Sequence, residues 1–63
     1  MPEEQWLIEQ EYDHDIQVLI KGSFDAMVLK GGKSVKKFKG EMACINANRL
    51  ALDLVMKEIY GTN

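Results

Sequence analysis

The chain has 63 residues, of which 46% are hydrophobic and 29% charged, and its formal net charge at pH 7 is −2. This length suits a single small domain spanning residues 1–63 and excludes Rossmann, P-loop and two-lobed enzyme folds, which need several strand–helix repeats. One cysteine and one histidine exclude an intrachain disulfide and a structural zinc site, so self-association is the remaining way to reinforce a small core.

The charged residues are segregated along the chain. Residues 1–20 contain six acidic residues and no lysine or arginine, whereas residues 21–40 contain six lysines and one aspartate. Because opposite charges on neighbouring strands attract, this pattern favours an acidic strand paired beside a basic one. The first residues are acidic where a signal peptide is basic, and no apolar run is long enough for a membrane span. With one free thiol, we expect a cytoplasmic protein that makes no membrane contact.

A period of two runs from residue 6 to residue 29 and predicts β-strands. Most even positions are apolar and most odd positions are polar or charged, which places one set on each face of a sheet. Turn-forming residues interrupt the pattern at residues 13–15 and 22–23. We therefore expect strands near residues 6–12, 16–21 and 24–30, with one long bent strand as the alternative for the first two.

Gly31-Gly32 predicts the tight turn of a hairpin, since adjacent glycines supply the positive φ angles of a type I′ turn. Counting outward from this turn gives three cross-strand pairs: Lys30 with Lys33, Leu29 with Ser34, and Val28 with Val35. Beyond them the alternation slips by one residue. We therefore place a β-bulge at Lys36-Lys37 and extend the last strand over about residues 33–44, with Cys44 packed inward.

The period then changes to that of a helix, which we expect over about residues 47–60. Asn46 or Asn48 is suited to cap its start, and Gly61 suits the position just past its end. The expected fold is therefore α+β, an antiparallel meander of three to four strands with one C-terminal helix packed on one face.

The apolar side chains of this helix cover roughly two-thirds of its circumference, more than one small sheet needs. We therefore expect a homodimer or higher oligomer joined through the helix, because a symmetric interface is the commonest way to bury such a surplus. The alternative is a helix sunk into a curled sheet that wraps it. The expected oligomer interface consists of five helix residues: Leu50, Ala51, Leu54, Val55 and Ile59.

Three groups of residues have catalytic or ligand-binding chemistry, and each has a simpler interpretation. Gly32-Lys33-Ser34 resembles the end of a phosphate-binding loop, but Met27 stands where that loop needs glycine, and a strand pattern follows. Asp13-His14-Asp15 is interpreted as a solvated turn, because neighbours on a strand point to opposite sides. Cys44 is interpreted as a core residue. We therefore assign no catalytic residue, metal or cofactor, and we do not expect an enzyme.

The strongest candidate for nucleic-acid binding is the lysine-rich hairpin of residues 30–39, which also contains Phe38. A two-stranded ribbon of this kind can follow a phosphate backbone and stack bases. The simpler interpretation is a solvated lysine edge that prevents aggregation between sheets. The candidate contacts are five lysines: Lys30, Lys33, Lys36, Lys37 and Lys39.

A candidate protein-partner patch comes from apolar residues at odd positions, which interrupt the otherwise polar face of the sheet. It has four members: Leu7, Leu19, Met27 and Leu29. Taken together, these features predict a non-catalytic regulatory or protein-interaction module that acts as a homo-oligomer and binds an unidentified protein. Small acidic proteins of this kind are common among phage and accessory genes. Single-stranded nucleic-acid binding through the hairpin of residues 30–39 is the alternative.

Overall fold

The structure is a computed structural model that describes residues 5–61 of the chain. Within this range the elements are four strands and a helix: β1 (Leu7–Tyr12), β2 (Ile16–Lys21), β3 (Asp25–Lys30), β4 (Lys33–Lys39) and α1 (Ala43–Tyr60). The strands form one antiparallel sheet in the order β1-β2-β3-β4, and α1 packs on one face of it. The α+β meander is therefore confirmed, and β1 and β2 are separate strands of a hairpin rather than one bent strand.

The core lies between α1 and the two central strands. Alternation in β2 and β3 turns their β-branched and small side chains toward α1, and the helix contributes alanines spaced four residues apart. Small side chains on the helix let its backbone approach the sheet closely, so that the interdigitating valines and isoleucine lose all contact with water. The residues of this buried cluster are Ile16, Val18, Ala26, Val28, Ala43, Ala47 and Ala51.

The acidic strand and the lysine-rich strand occupy opposite edges of the sheet. Among residues 5–61, β1, with Glu9 and Glu11, pairs only with β2, and β4 pairs only with β3. The expected pairing of an acidic strand beside a basic one is therefore wrong. Short turns place each strand next to its neighbour in sequence, and this connectivity outweighs the attraction between the charges of β1 and β4.

The Gly31-Gly32 turn forms as predicted, with φ angles of 59° and 82°. The pairs Lys30 with Lys33 and Leu29 with Ser34 are also confirmed. The bulge, however, lies one residue earlier than expected, because Val28 pairs with Lys36 and leaves Val35 as the extra residue. This placement keeps Phe38 opposite Ala26, on the side of the sheet that α1 covers.

A second irregularity, in β1, was not expected from the alternation. Leu7 pairs with Ile20 and Ile8 with Leu19, but Gln10 pairs with Val18, so Glu9 is an extra residue. One inserted residue reverses the face of every side chain beyond it. Leu7 therefore lies on the helix side of the sheet, and Ile8 lies on the opposite side.

The helix begins at Ala43 rather than near residue 47, and β4 ends at Lys39 rather than near residue 44. Gly40, with a φ of 105°, ends the strand in a conformation that favours glycine. Met42 occupies the cap position without a side-chain hydrogen bond, so Asn46 and Asn48 lie inside the helix instead of capping it. Cys44 is consequently a half-buried helix residue. Gly61 follows the helix as predicted, and its amide donates to the Lys57 carbonyl at 2.9 Å.

Candidate interaction surfaces

The face of α1 that points away from the sheet is apolar. Its large side chains are each between 49% and 56% exposed and recur at intervals of seven, four and three residues. At 100° per residue they fall within an arc of about 60°, on the side of the helix away from the buried alanines. We call this surface the outer stripe; its members are Ile45, Leu52, Met56 and Ile59.

The structure places four of the five residues expected at the oligomer interface against the chain's own core. Ala51 is fully buried against the chain's own sheet, and Leu50, Leu54 and Val55 pack around the same core. Only Ile59 belongs to the outer stripe. The surplus of apolar surface exists, but a helical wheel alone did not show which arc faces the sheet. Because the outer stripe is exposed, the sheet does not wrap around the helix. The alternative of a helix sunk into a curled sheet is therefore not what the structure shows.

Charged side chains border the outer stripe along one side. Arg49, Asp53 and Lys57 follow one another at intervals of four residues, and all three are exposed. Such a spacing places them in one row next to the stripe, with their charges alternating in sign. The outer stripe is therefore an apolar surface with a charged border on one side, and protein interfaces typically combine an apolar centre with polar residues at the edge.

The five lysines of the predicted nucleic-acid surface do not act alike. Lys30 forms an ion pair with Glu58 of α1, with Nζ 2.7 Å from Oε2. The hydrogen bond from Lys30, and then its charge, hold the pKa of the Glu58 carboxyl below its ordinary value. The remaining four lysines lie on the exposed strand β4: Lys33, Lys36, Lys37 and Lys39.

Phe38, the aromatic residue of that hairpin, is partly covered. Its ring packs against the core below α1, and Nζ of Lys36 lies 5.2 Å from the ring centroid on the same side of the sheet. Lys37 and Lys39 pair with Met27 and Asp25, and so lie on the opposite side. The hairpin is therefore a lysine-rich edge, without an aromatic ring standing free for a base to stack on.

The protein-partner patch expected from the sequence is changed by the bulge in β1. Leu19 and Met27 are cross-strand partners on β2 and β3, on the side of the sheet away from α1. Leu29 lies on the same side, two residues after Met27 in β3. Leu7 lies on the helix side instead, and Ile8 takes its place beside Leu19. We call the resulting set the open-face patch: Ile8, Leu19, Met27 and Leu29. Met27 is only 9% exposed, so the other three residues supply most of the accessible surface of the open-face patch.

Two turns meet at one end of the sheet and enclose a polar groove. The Gly31 amide donates to the Asp15 carbonyl at 2.9 Å, joining the Asp13-His14-Asp15 turn to the Gly31-Gly32 turn. The groove has a volume of about 560 Å³, and acidic and amide side chains line much of it. In residues 5–61, no group of three or more His, Cys, Asp or Glu side chains is placed to hold a metal ion.

A partly buried polar cluster joins β1 to α1, and it was not predicted from the sequence. The Tyr12 hydroxyl donates to Oδ1 of Asn48 at 2.6 Å, and Nδ2 of Asn48 donates to the Cys44 carbonyl at 2.9 Å. The same nitrogen lies 3.5 Å from Sγ of Cys44. The available signal was an asparagine in an apolar helix, which needs a partner when it is partly buried.

Within residues 5–61, no helix is long and apolar enough to cross a lipid bilayer. A comparison with known proteins finds no matching family model, no matching curated protein and no matching solved structure. The outer stripe, the open-face patch and the lysine-rich edge are therefore the features from which a function is proposed.

Proposed function

We propose that this chain is a non-catalytic, regulatory protein-interaction module that forms a homodimer through the outer stripe of α1. The observation that supports this most strongly is the row of four large apolar side chains on the side of the helix that its own sheet does not cover. Burial of apolar surface is the main driving force of association. A second copy can supply that burial without any further element of the chain.

The outer stripe is self-complementary when two copies of α1 run antiparallel. With Leu52 on the two-fold axis, Ile45 lies opposite Ile59 of the second copy, and the second Ile45–Ile59 contact follows by symmetry. Arg49 then lies within about one helical turn of Asp53 in the second copy. Apolar side chains meet at the centre and opposite charges meet at the rim, as a stable interface requires.

The homodimer is tested by measuring the mass of two leucine variants in solution. Leu52→Lys places a charge in the centre of the outer stripe, and lysine retains a high helix propensity. Leu7→Lys is the matched control, because Leu7 is also exposed, at 62%, but lies on the edge strand β1. At about 0.5 M salt, which screens contacts between charged surfaces, we expect the unchanged chain and Leu7→Lys to be dimers by analytical ultracentrifugation, and Leu52→Lys to be a folded monomer of 7.2 kDa.

Two results would overturn the dimer. One is an unchanged chain that sediments as a monomer at about 100 µM, a concentration at which even a weak dimer, with Kd in the micromolar range, is well populated. The other is an equal loss of mass in both leucine variants. Met56→Lys provides a second test within the stripe, and circular dichroism shows whether each variant is folded.

A dimer joined through α1 leaves the opposite side of each sheet free, and the open-face patch lies there. We assign this patch to a second protein, with the cytoplasm as the compartment in which it is met. Ile8 and Leu7 offer a matched pair for the test, since they are neighbours on β1 that lie on opposite faces of the sheet. In a pull-down from the cells of origin, Ile8→Lys loses a partner that Leu7→Lys retains. Identical proteins in both samples contradict this part of the proposal.

Single-stranded nucleic-acid binding is the second candidate function, and the four exposed lysines of β4 favour it. Phosphate contacts by lysine make affinity fall steeply with salt, whatever the sequence of the strand. Labelled DNA and RNA strands, titrated at low salt, test it with Lys37→Glu and its matched control Lys57→Glu on the helix. Weaker binding in Lys37→Glu alone supports this function. No binding at tens of micromolar, or equal weakening in both variants, rules it out.

A further inference from the structure

The two edges of the sheet are free and carry opposite charges. Among residues 5–61, no strand pairs with the outer side of β1 or of β4. β1 presents Glu9 and Glu11, whereas β4 presents lysines at four of its seven positions. An edge strand has unpaired backbone amides and carbonyls, which form a template for another strand.

The direction of the strands allows one edge to continue the other. All three pairings in the sheet are antiparallel, so β1 and β4 run in opposite directions. A second copy moved sideways without rotation therefore places its β1 antiparallel to β4 of the first copy. The meander continues across the junction, and the helices of both copies stay on the same side of the extended sheet.

Two copies can bring together a β1 edge and a β4 edge, two β1 edges, or two β4 edges, and the charges favour only the first of these contacts. Two β1 edges would bring glutamates together and two β4 edges would bring lysines together, and like charges on paired strands repel. At a β1–β4 junction the charges are opposite. Glu11 lies on the side of the sheet away from α1, the side on which Lys37 and Lys39 also lie, so they meet on one face.

We propose that β4 of one copy pairs with β1 of the next, so that the sheet extends head to tail between copies of this chain. The contact differs from the helix dimer proposed above and does not depend on it. Bulges at Glu9 and Val35 limit regular pairing to about residues 10–12 and 36–39, so each junction is weak. Because the contact is heterologous, association does not stop at two copies.

The test uses charge reversal at each edge, in a Leu52→Lys background that removes the helix contact. One variant carries Glu9→Lys and Glu11→Lys, which makes both edges basic. The other carries Lys37→Glu and Lys39→Glu, which makes the β4 edge acidic on the side of the sheet away from α1, where it would meet Glu11 of the next copy. Static light scattering gives the average mass. With unaltered edges, we expect a mass that rises with concentration at about 20 mM salt and falls to the monomer value at about 0.5 M.

The two edge variants have different expected behaviour alone and together. Each alone stays monomeric at low salt, because its edges repel, and an equal mixture of the two associates again, because each acidic edge then meets a basic one. Glu41→Lys with Asp53→Lys is the control for the variant with two basic edges, since it changes net charge by the same amount in the same direction and lies outside the sheet. The proposal is wrong if the unaltered edges show no growth at low salt. It is also wrong if the mixture stays monomeric, or if the control abolishes association as well.

Discussion

The hydroxyl of Tyr12 donates a hydrogen bond of 2.6 Å to Oδ1 of Asn48, which links the edge strand β1 to the second turn of α1. Asn48 in turn donates to the carbonyl of Cys44 one turn earlier in the helix. Both side chains are half-buried, so the bond is partly shielded from water. The strand that carries the acidic edge is thereby held to the element that carries the outer stripe.

Removing this hydrogen bond should destabilise the fold. Tyr12→Phe deletes only the donor, and we expect the free energy of unfolding to fall by about 0.5–1.5 kcal/mol. Urea denaturation at a fixed protein concentration measures the loss. Asn48→Ala and the double variant complete a double-mutant cycle. If the sum of the two single losses equals the loss in the double variant to within about 0.3 kcal/mol, the two residues are not coupled and the hydrogen bond does not contribute to stability.

Enlarging a core alanine of α1 should destabilise the fold further. Ala47 is fully buried between helix and sheet, so Ala47→Leu forces the two apart, and we expect a loss of about 1–3 kcal/mol. Asn46→Leu is the control, because that neighbour is exposed and the substitution should change stability by no more than about 0.5 kcal/mol. Thermal unfolding measures the stability of both variants. Equal stability of Ala47→Leu and Asn46→Leu would mean that α1 does not pack closely on the sheet.

The Gly31-Gly32 turn gives a prediction about backbone conformation alone. Gly31 has a φ of 59°, and no atom lies within 4 Å of where its Cβ would stand, so a new side chain meets no clash. Gly31→Val should cost about 1–2 kcal/mol, since branched residues avoid left-handed backbone, whereas Gly31→Asn should cost much less. Urea denaturation of the two variants compares them. Equal losses would show that the turn does not require a positive φ.

The Lys30–Glu58 ion pair predicts a dependence on pH. Lys30 lowers the pKa of Glu58 in the folded chain, so the stabilisation is present above the ordinary pKa of glutamate, about 4.3, and is lost as pH falls through the lowered value. Because both side chains are exposed to solvent, the effect is small and weakens with salt. NMR titration should show a higher pKa for Glu58 in Lys30→Met. An unchanged pKa would mean that the pair does not persist in solution.

Much of the fold follows from local features of the sequence. The period of two placed β2 and β3 to within a residue, and Gly31-Gly32 set the register of the last hairpin as far as Leu29 and Ser34. Both signals depend on neighbouring residues and are visible without knowledge of tertiary contacts. Gly61 is a third case, because a glycine after a helical pattern marks its end.

The surfaces were harder to predict, because they depend on contacts between distant residues. The bulge at Glu9 exchanges the faces of Leu7 and Ile8, and nothing near Glu9 in the sequence indicates an inserted residue. Likewise, the apolar residues of α1 form two faces, and only the packing of Ala43, Ala47 and Ala51 on the sheet shows which face remains free. The helix does have an apolar face that its own sheet leaves exposed, but a helical wheel could not identify the residues of that face.

The most direct measurement of the proposed dimer is a nuclear Overhauser contact between the methyl groups of Ile45 and Ile59. Within one copy these residues are 14 positions apart on α1, about 21 Å along the helix axis, which is too far for such a contact. In an antiparallel dimer centred on Leu52 they lie opposite each other. We therefore expect an Ile45–Ile59 contact that disappears in Leu52→Lys. Its absence in the unchanged chain, together with a mass of 7.2 kDa, would contradict the dimer.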